Sequence, residues 1–337
     1  MQSALFCPNK MQLARILFHI LLVTTILNVT YGAKILFFFA LSTYSHRIAV
    51  WSYVEQLAAA GHEVTFVQPY PPKKPNPKVS EFYPQSVLNS SASPADTINL
   101  LKLRLDGGRA AIDALTKGLM DEGVKVCSKF LAAPETQDWI SKSKFDLVVI
   151  DDLMNECGYG LAHKFGAKTA IFMTSHPIAW RFEPFGILLE TSWIPDLLSA
   201  PDVPLGFWDR VKNTLGPLFL YVVKQYSYYP KLDKVFQETL GLPGMPSVSE
   251  LERETSLIFA NTHYSEEFAR SLPPLFVSVG GMHCGDASQK LTPVSLSNFS
   301  QIICRIPVDV EVILVGTGKV HQQQSEWLHL CQFWKCR

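Results

Sequence analysis

The stretch KILFFFAL, residues 34–41, constrains this chain more than any other. Its apolar run has no polar alternation, so a strand built from it must be covered on both faces, as a parallel strand between helices is. The residues after it fit that arrangement. Val50, Val54, Leu57 and Ala58 recur at helical spacing, Gly61 stops the helix, and HEVTFVQP reads as a second strand. The unit returns later: FDLVVI is a strand, Cys157, Leu161, Ala162 and Phe165 mark one helix face, Gly166 ends it, and KTAIFMT is the next strand. PKLDKVFQETLG then predicts a helix ending at Gly241, followed by strands SLIFAN and PLFVSVGG. The fold class is α/β, a doubly wound parallel sheet with right-handed crossovers. Residues 176–228 are rich in Pro, Trp, Phe and Tyr without a clean period. They predict irregular loops and short helices, lining a pocket or closing an aromatic core.

The chain has 337 residues, 47% of them hydrophobic, enough for one large or two ordinary domains with real cores. Basic and acidic residues balance at 30 each, which leaves no basic excess to recruit nucleic acid. The N-terminus has the layout of a secretory signal: Lys10 and Arg15 precede an apolar stretch from Ile16 to Val29, and VTYGAK offers a cleavage site near Gly32. A signal anchor is the alternative, but Thr24, Thr25 and Asn28 interrupt the apolar stretch, and it falls short of the roughly 20 residues that span a bilayer. Of the seven cysteines none forms a CxxC pair, so no zinc knuckle or thioredoxin-type site is predicted; in an oxidising lumen some would pair, with no partner fixed by spacing. Asn89 and Asn298 head glycosylation triplets. LGPLFLYVV, residues 215–223, is too short to span a membrane, and reads either as a buried helix segment or as a patch that dips into a membrane surface.

In a parallel α/β sheet, ligands bind beyond the carboxyl ends of the strands. His46 follows the first strand and Asp151 follows FDLVVI, so the two can meet at one sheet edge. His46 would then act as a general base, its ordinary pKa near 6.5 suiting proton abstraction at neutral pH. Asp151 would orient the ring and stabilise the imidazolium. A helix-capping or hydrogen-bonded structural histidine is the competing interpretation, and spacing does not choose between Asp151 and Asp152. His176, in TSHP, ends another strand and could line the same cleft. His62 follows a helix-ending glycine and is expected to bond backbone carbonyls. There is no GxSxG elbow, and GTGK at 316–319 lacks the spacing of a phosphate loop.

Three segments, in order, carry a resemblance. TYSHRIAVWSYVEQLAAAGHEVTFV, FDLVVIDDLMNECGYGLAHKFGAKTAIF and ANTHYSEEFARSLPPLFVSVGGMHC resemble the N-terminal half of the animal UDP-glycosyltransferases, the UDP-glucuronosyltransferase family. The resemblance covers roughly Ala33 to Cys284 and implies a fold of the GT-B type, two facing Rossmann-like domains of which the first binds a lipophilic acceptor and the second a UDP-sugar. His46 falls on the family's catalytic base, Asp151 on its partner, and Asp152 on a non-catalytic position. Ser45, His176 and Trp180 are the expected acceptor-binding residues. Transfer would be inverting, of glucuronic acid or glucose, with a UDP-sugar as co-substrate, no resident cofactor and no metal.

The expected organisation is a signal peptide at 1–32, an acceptor-binding Rossmann-like domain at 33–284, and an atypical tail at 285–337. That tail shows none of the Trp-x-Pro-Gln, His-Gly-Gly and Asp-Gln elements of the family's donor domain, so the C-terminal donor domain is expected to be missing and this chain to be inactive alone. The alternative function is a non-catalytic luminal fragment that binds small molecules or associates with full-length relatives. The expected location is the lumen of the endoplasmic reticulum, with peripheral membrane contact at most.

Overall fold

The structure is a computed structural model that describes residues 32–88, 112–174, 178–196, 204–263 and 268–284. The signal segment, Asn89, Asn298, His176 and the tail from Gly285 lie outside the described residues. Seven parallel strands form one sheet: β1 Lys34–Phe38, β2 Glu63–Val67, β3 Val79–Phe82, β4 Leu147–Asp151, β5 Lys168–Met173, β6 Leu257–Ala260 and β7 Phe276–Ser278. Their order is β3-β2-β1-β4-β5-β6-β7, with every neighbouring pair parallel. The chain winds outward from β1 in one direction, returns, and winds outward from β4 in the other. The doubly wound, Rossmann-like sheet expected from the sequence is therefore present, and its topological switch point lies between β1 and β4.

The helices are α1 Tyr44–Ala59, the single turn α2 Gln85–Leu88, α3 Asp121–Ala132, α4 Pro134–Lys142, α5 Cys157–Phe165, α6 Phe207–Val223, α7 Tyr229–Leu240 and α8 Val248–Arg253. The two faces of the sheet bury separate cores. Phe37 and Phe39 pack with Val50, Val54 and Phe66 on the α1 face, while Leu36 and Phe38 join Phe130, Tyr159 and Phe236 on the other. This is the period of two that turns an all-apolar run into a strand buried on both sides. α5 and α7 stop at glycines in the left-handed region, Gly166 at φ 65° and Gly241 at φ 60°, where a side chain would be strained. A disulfide joins Cys127 on α3 to Cys157 at the start of α5, with Cα atoms 5.5 Å apart.

Three findings differ from the sequence expectations. Residues 176–228 are not irregular throughout. Two short 3₁₀ turns, Ala179–Arg181 and Glu183–Phe185, are followed by the 17-residue α6, which passes through a π-helical turn, Lys224–Tyr228, into α7. The helical period escapes notice because the buried stripe of α6 is Asn213, Pro217 and Leu220, continued by Lys224, instead of a row of aliphatic residues. The stretch 215–223 is accordingly no buried segment, since Leu215, Leu218, Phe219 and Val222 are exposed. Among the described residues the His62 ring bonds no carbonyl, only its backbone amide does, to Leu57; the ring Nδ1 accepts the Ala33 amide at 3.0 Å, which ties the start of β1 to the start of β2.

Candidate functional site

Four strands deliver polar residues to one carboxyl edge. β1 and β4 are adjacent with Phe38 paired to Ile150, so Asp151, the last residue of β4, lies beside the loop that leads from β1 into α1. His46 stands in the first turn of α1, and its Nδ1 donates to Asp151 Oδ2 at 2.8 Å, with Oδ1 at 3.0 Å. The Asp151 side chain is fully buried and that of His46 is 17% exposed. The carboxylate thus fixes the ring's tautomer, and Nε2 retains the lone pair a base requires. On the neighbouring strand, Thr174 just past β5 sets its Oγ1 at 2.9 Å from Nδ1 and 3.4 Å from Nε2 of the same ring. Asn261, just past β6, donates through Nδ2 to the Thr174 carbonyl at 3.2 Å.

Asn155 binds the two loops together. Its Oδ1 accepts the Leu41 amide at 2.7 Å, and its Nδ2 lies within reach of the Leu41 carbonyl at 2.8 Å, the Leu153 carbonyl at 2.7 Å and Asp151 Oδ2 at 3.3 Å. The segment it holds contains Met154, the one non-glycine residue with positive φ, 52°, among those described. Backbone in that region is held by its surroundings, and here the surroundings are the site.

The electrostatics favour a charged ring. Burial lowers the His46 pKa, but the attraction of Asp151 and the hydrogen bond to it, helped by Asp152, outweigh burial and raise it above 6.5. Burial and the neighbouring Asp151 charge push Asp152 up to about 6, against the pull of Arg181 and His46. Beneath the edge, Glu156 pairs with Arg181 at 2.6 Å and accepts from the Tyr228 hydroxyl at 2.7 Å, while Lys224 pairs with Glu252 at 2.9 Å. The members of both ion pairs are almost wholly buried, so each charge is matched where water is excluded.

Of the residues singled out from sequence, His46 and Asp151 are brought together and Ser45 adjoins them, exposed, its hydroxyl 2.5 Å from that of Thr43. Asp152 is buried beside Asp151, whereas the ring of His46 is bonded by Asp151 and approached by Thr174. Trp180 sits elsewhere, buried in a 3₁₀ turn against Arg181 and Lys224. His176 is outside the described residues. Sequence reasoning missed Asn155, Thr174 and Asn261. The rule that located Asp151 could have found Thr174 and Asn261, each the first residue after a strand. Among the described residues, no group of three or more His, Cys, Asp or Glu side chains is placed to hold a metal ion.

Comparison with known proteins adds to this geometry. Residues 33–302 match the family model described as UDP-glucoronosyl and UDP-glucosyl transferase. UDP-glucosyltransferase 2 of Dactylopius coccus is 27% identical over 263 residues, 78% of this chain and 50% of that protein. UDP-glucuronosyltransferase 3A2 of Mus musculus is 28% identical over 328 residues, 91% of this chain and 60% of that protein. Among solved structures, a calicheamicin glycosyltransferase aligns at 15% identity over 74% of this chain and 52% of that one, with a TM-score of 0.34. The chain therefore spans about half the length of the relatives it matches.

Proposed function

This chain belongs to the UDP-glucoronosyl and UDP-glucosyl transferase family, and from that premise we propose that it carries the acceptor half of an inverting UDP-sugar transferase acting on hydroxyls of small lipophilic molecules. The observation that carries the proposal is the 2.8 Å contact between His46 Nδ1 and the buried Asp151 carboxylate at the switch point of the sheet. With Nδ1–H committed to Asp151, Nε2 takes the proton of the acceptor hydroxyl as its oxygen attacks the anomeric carbon. The bond from that carbon to the UDP oxygen breaks, and UDP leaves with the electron pair. Asp151 offsets the positive charge that forms on the ring. Ser45 would contact the acceptor from the exposed side of the site; the buried place of Trp180 suits a structural role better. Residues 33–284 would form the acceptor domain, working in the lumen of the endoplasmic reticulum, with the UDP-sugar held by a second domain of the kind the longer relatives have room for.

The test supplies that second domain. Joined to the donor half of a full-length relative, the parent chain should release UDP in an acceptor-dependent way. His46→Ala should lower turnover by roughly 10²- to 10⁴-fold, the range general base catalysis supplies, with acceptor binding little changed. Asp151→Asn should be similarly damaging and Asp152→Asn far less so. Equal loss from the two aspartate variants would sink the assignment. The chain by itself should release no UDP, because a base is useful only with an electrophilic carbon held about 3–3.5 Å from the attacking oxygen.

A further inference from the structure

We propose that Asn155 and Gln68 are positioning residues for the base: two buried carboxamides, one on each flank of β1, that hold the loop 41–43 and thereby set His46 onto Asp151. The inference rests on the general-base reading above and names what keeps that base in place. β1 ends at Phe38, its last pair across to β4 is with Ile150, and the Phe39 amide makes a further bond to the Val67 carbonyl on the β2 side at 2.9 Å. His46 lies beyond the reach of that ladder, in the first turn of α1. Nor does the helix fasten its own start. Among the described residues, the N-cap Thr43 makes no side-chain cap bond, and the first turn carries no carboxylate to meet the helix dipole.

Two side chains take over where the ladder stops. Gln68, the first residue past β2, donates through Nε2 to Ser42 Oγ at 2.9 Å and to the Thr43 carbonyl at 3.0 Å. The Ser42 hydroxyl donates to the Phe39 carbonyl, so its oxygen is the acceptor and the orientation of the amide is fixed. The same Thr43 carbonyl accepts the His46 amide at 3.2 Å, so Gln68 grips the atom to which the backbone of the base is tied. From the β4 side, Asn155 takes both backbone groups of Leu41 as a neighbouring strand would, the amide on Oδ1 at 2.7 Å and the carbonyl on Nδ2 at 2.8 Å. That Nδ2 also lies 3.3 Å from Asp151 Oδ2. One side chain thus touches both the loop that carries the base and the carboxylate that orients it. Asn155 is 1% and Gln68 6% exposed, and hydrogen bonds made where water is excluded rigidify what they join. Truncating either amide lets the start of α1 shift against Asp151, and a misplacement of about 1 Å can cost about 10²-fold in rate.

The test reads the imidazole as well as turnover. In the ¹⁵N-labelled full chain, the His46 ring, assigned by its loss in His46→Ala, should be the Nδ1–H tautomer with a slowly exchanging downfield proton. It should titrate above 6.5, raised by the charges of Asp151 and Asp152. Asn155→Ser and Gln68→Met should each lose the slow proton, admit the Nε2–H tautomer and lower the midpoint. Val235→Ala, a core truncation on α7, is the stability control: it should lower the thermal midpoint and leave the ring as in the parent. Joined to a relative's donor half, Asn155→Ser should lower kcat by roughly 10- to 100-fold with the acceptor KM little changed. A parent ring in the Nε2–H tautomer with an ordinary midpoint would refute the dyad itself. A parent ring as expected, unchanged in folded Asn155→Ser and Gln68→Met, would overturn the positioning roles and leave the dyad standing. So would the same loss of the slow proton in Val235→Ala, which would make the effect one of stability alone. Should Asn155→Ser fail to fold, Gln68→Met, which keeps the side chain's length, decides by itself.

Discussion

His46 takes its character from two opposed influences. Burial disfavours the imidazolium, and the buried Asp151 carboxylate 2.8 Å away favours it more. Removing the Asp151 charge while keeping its shape leaves burial opposed only by the smaller attraction of Asp152. We therefore expect His46 to titrate above 6.5 in the parent chain and below 6.5 in Asp151→Asn, read from the imidazole resonances by NMR. An unchanged midpoint would show that Asp151 does not govern the ring. Linkage gives the sign for stability. A histidine whose folded pKa is raised contributes stability that is fully present below about pH 6.5 and is lost as pH rises through the folded value. In a complete enzyme the acidic limb of the pH profile would move to lower pH in the variant, with turnover reduced because the tautomer is no longer fixed. His46 and Asp151 were legible in the sequence because each stands where a strand meets its loop, and chemistry in such sheets gathers there. Asn155 was not, since its role depends on reaching across to Leu41, 114 positions earlier, a contact no local pattern encodes.

At the scale of elements, the strands and the glycine-stopped helices were legible because their periods and stops are local facts. The path from α6 to α7 was not. Its π turn, Lys224–Tyr228, rotates Lys224, Tyr228 and Tyr229 inward, a placement that frequently marks functional regions and that hydropathy counting treats as surface. Edge strand β3 escapes a sequence reading for a related reason: four residues of which only Val79 is buried carry too little pattern. The inward turn makes a specific energetic prediction. Lys224 and Glu252 are fully buried and 2.9 Å apart, and Glu252 also accepts from the Tyr229 hydroxyl. Burial lowers the Lys224 pKa, though Glu252 opposes the shift. Lys224→Met leaves Glu252 charged without its cation, and should cost about 3–5 kcal/mol in urea denaturation. Lys224→Met combined with Glu252→Gln should recover most of that loss, because the uncompensated charge goes while a partner for Tyr229 stays. If the double variant were as unstable as the single one, packing and not charge balance would set the cost.

At the scale of the whole molecule, the sheet order explains why residues 105 positions apart can meet. The chain reverses its winding between β1 and β4, so the loops from these neighbouring strands diverge and leave a crevice at their carboxyl ends, walled by α1 and by the segment before α5. That segment enters α5 at Cys157, where the disulfide to Cys127 fastens it to α3. The pairing was not legible, because six cysteines remain once Cys7 is set aside with the signal segment and spacing chooses none. The bridge closes a loop with a sequence separation of 30, and loop-closure entropy gives it about 3–4 kcal/mol. Replacing both cysteines, Cys127→Ala with Cys157→Ala, should lower stability by about 2–4 kcal/mol and the melting midpoint by roughly 5–15 °C. Replacing only one would leave a thiol able to mispair with the exposed Cys284. Both sulfurs are buried, so a reductant acts on the parent chain only through opened molecules. Incubated with reductant under mildly denaturing conditions, the parent should converge on the double variant's midpoint, while the double variant should not respond. A parent midpoint indifferent to reductant after such incubation would mean that the bridge contributes nothing to holding the site's loop in place.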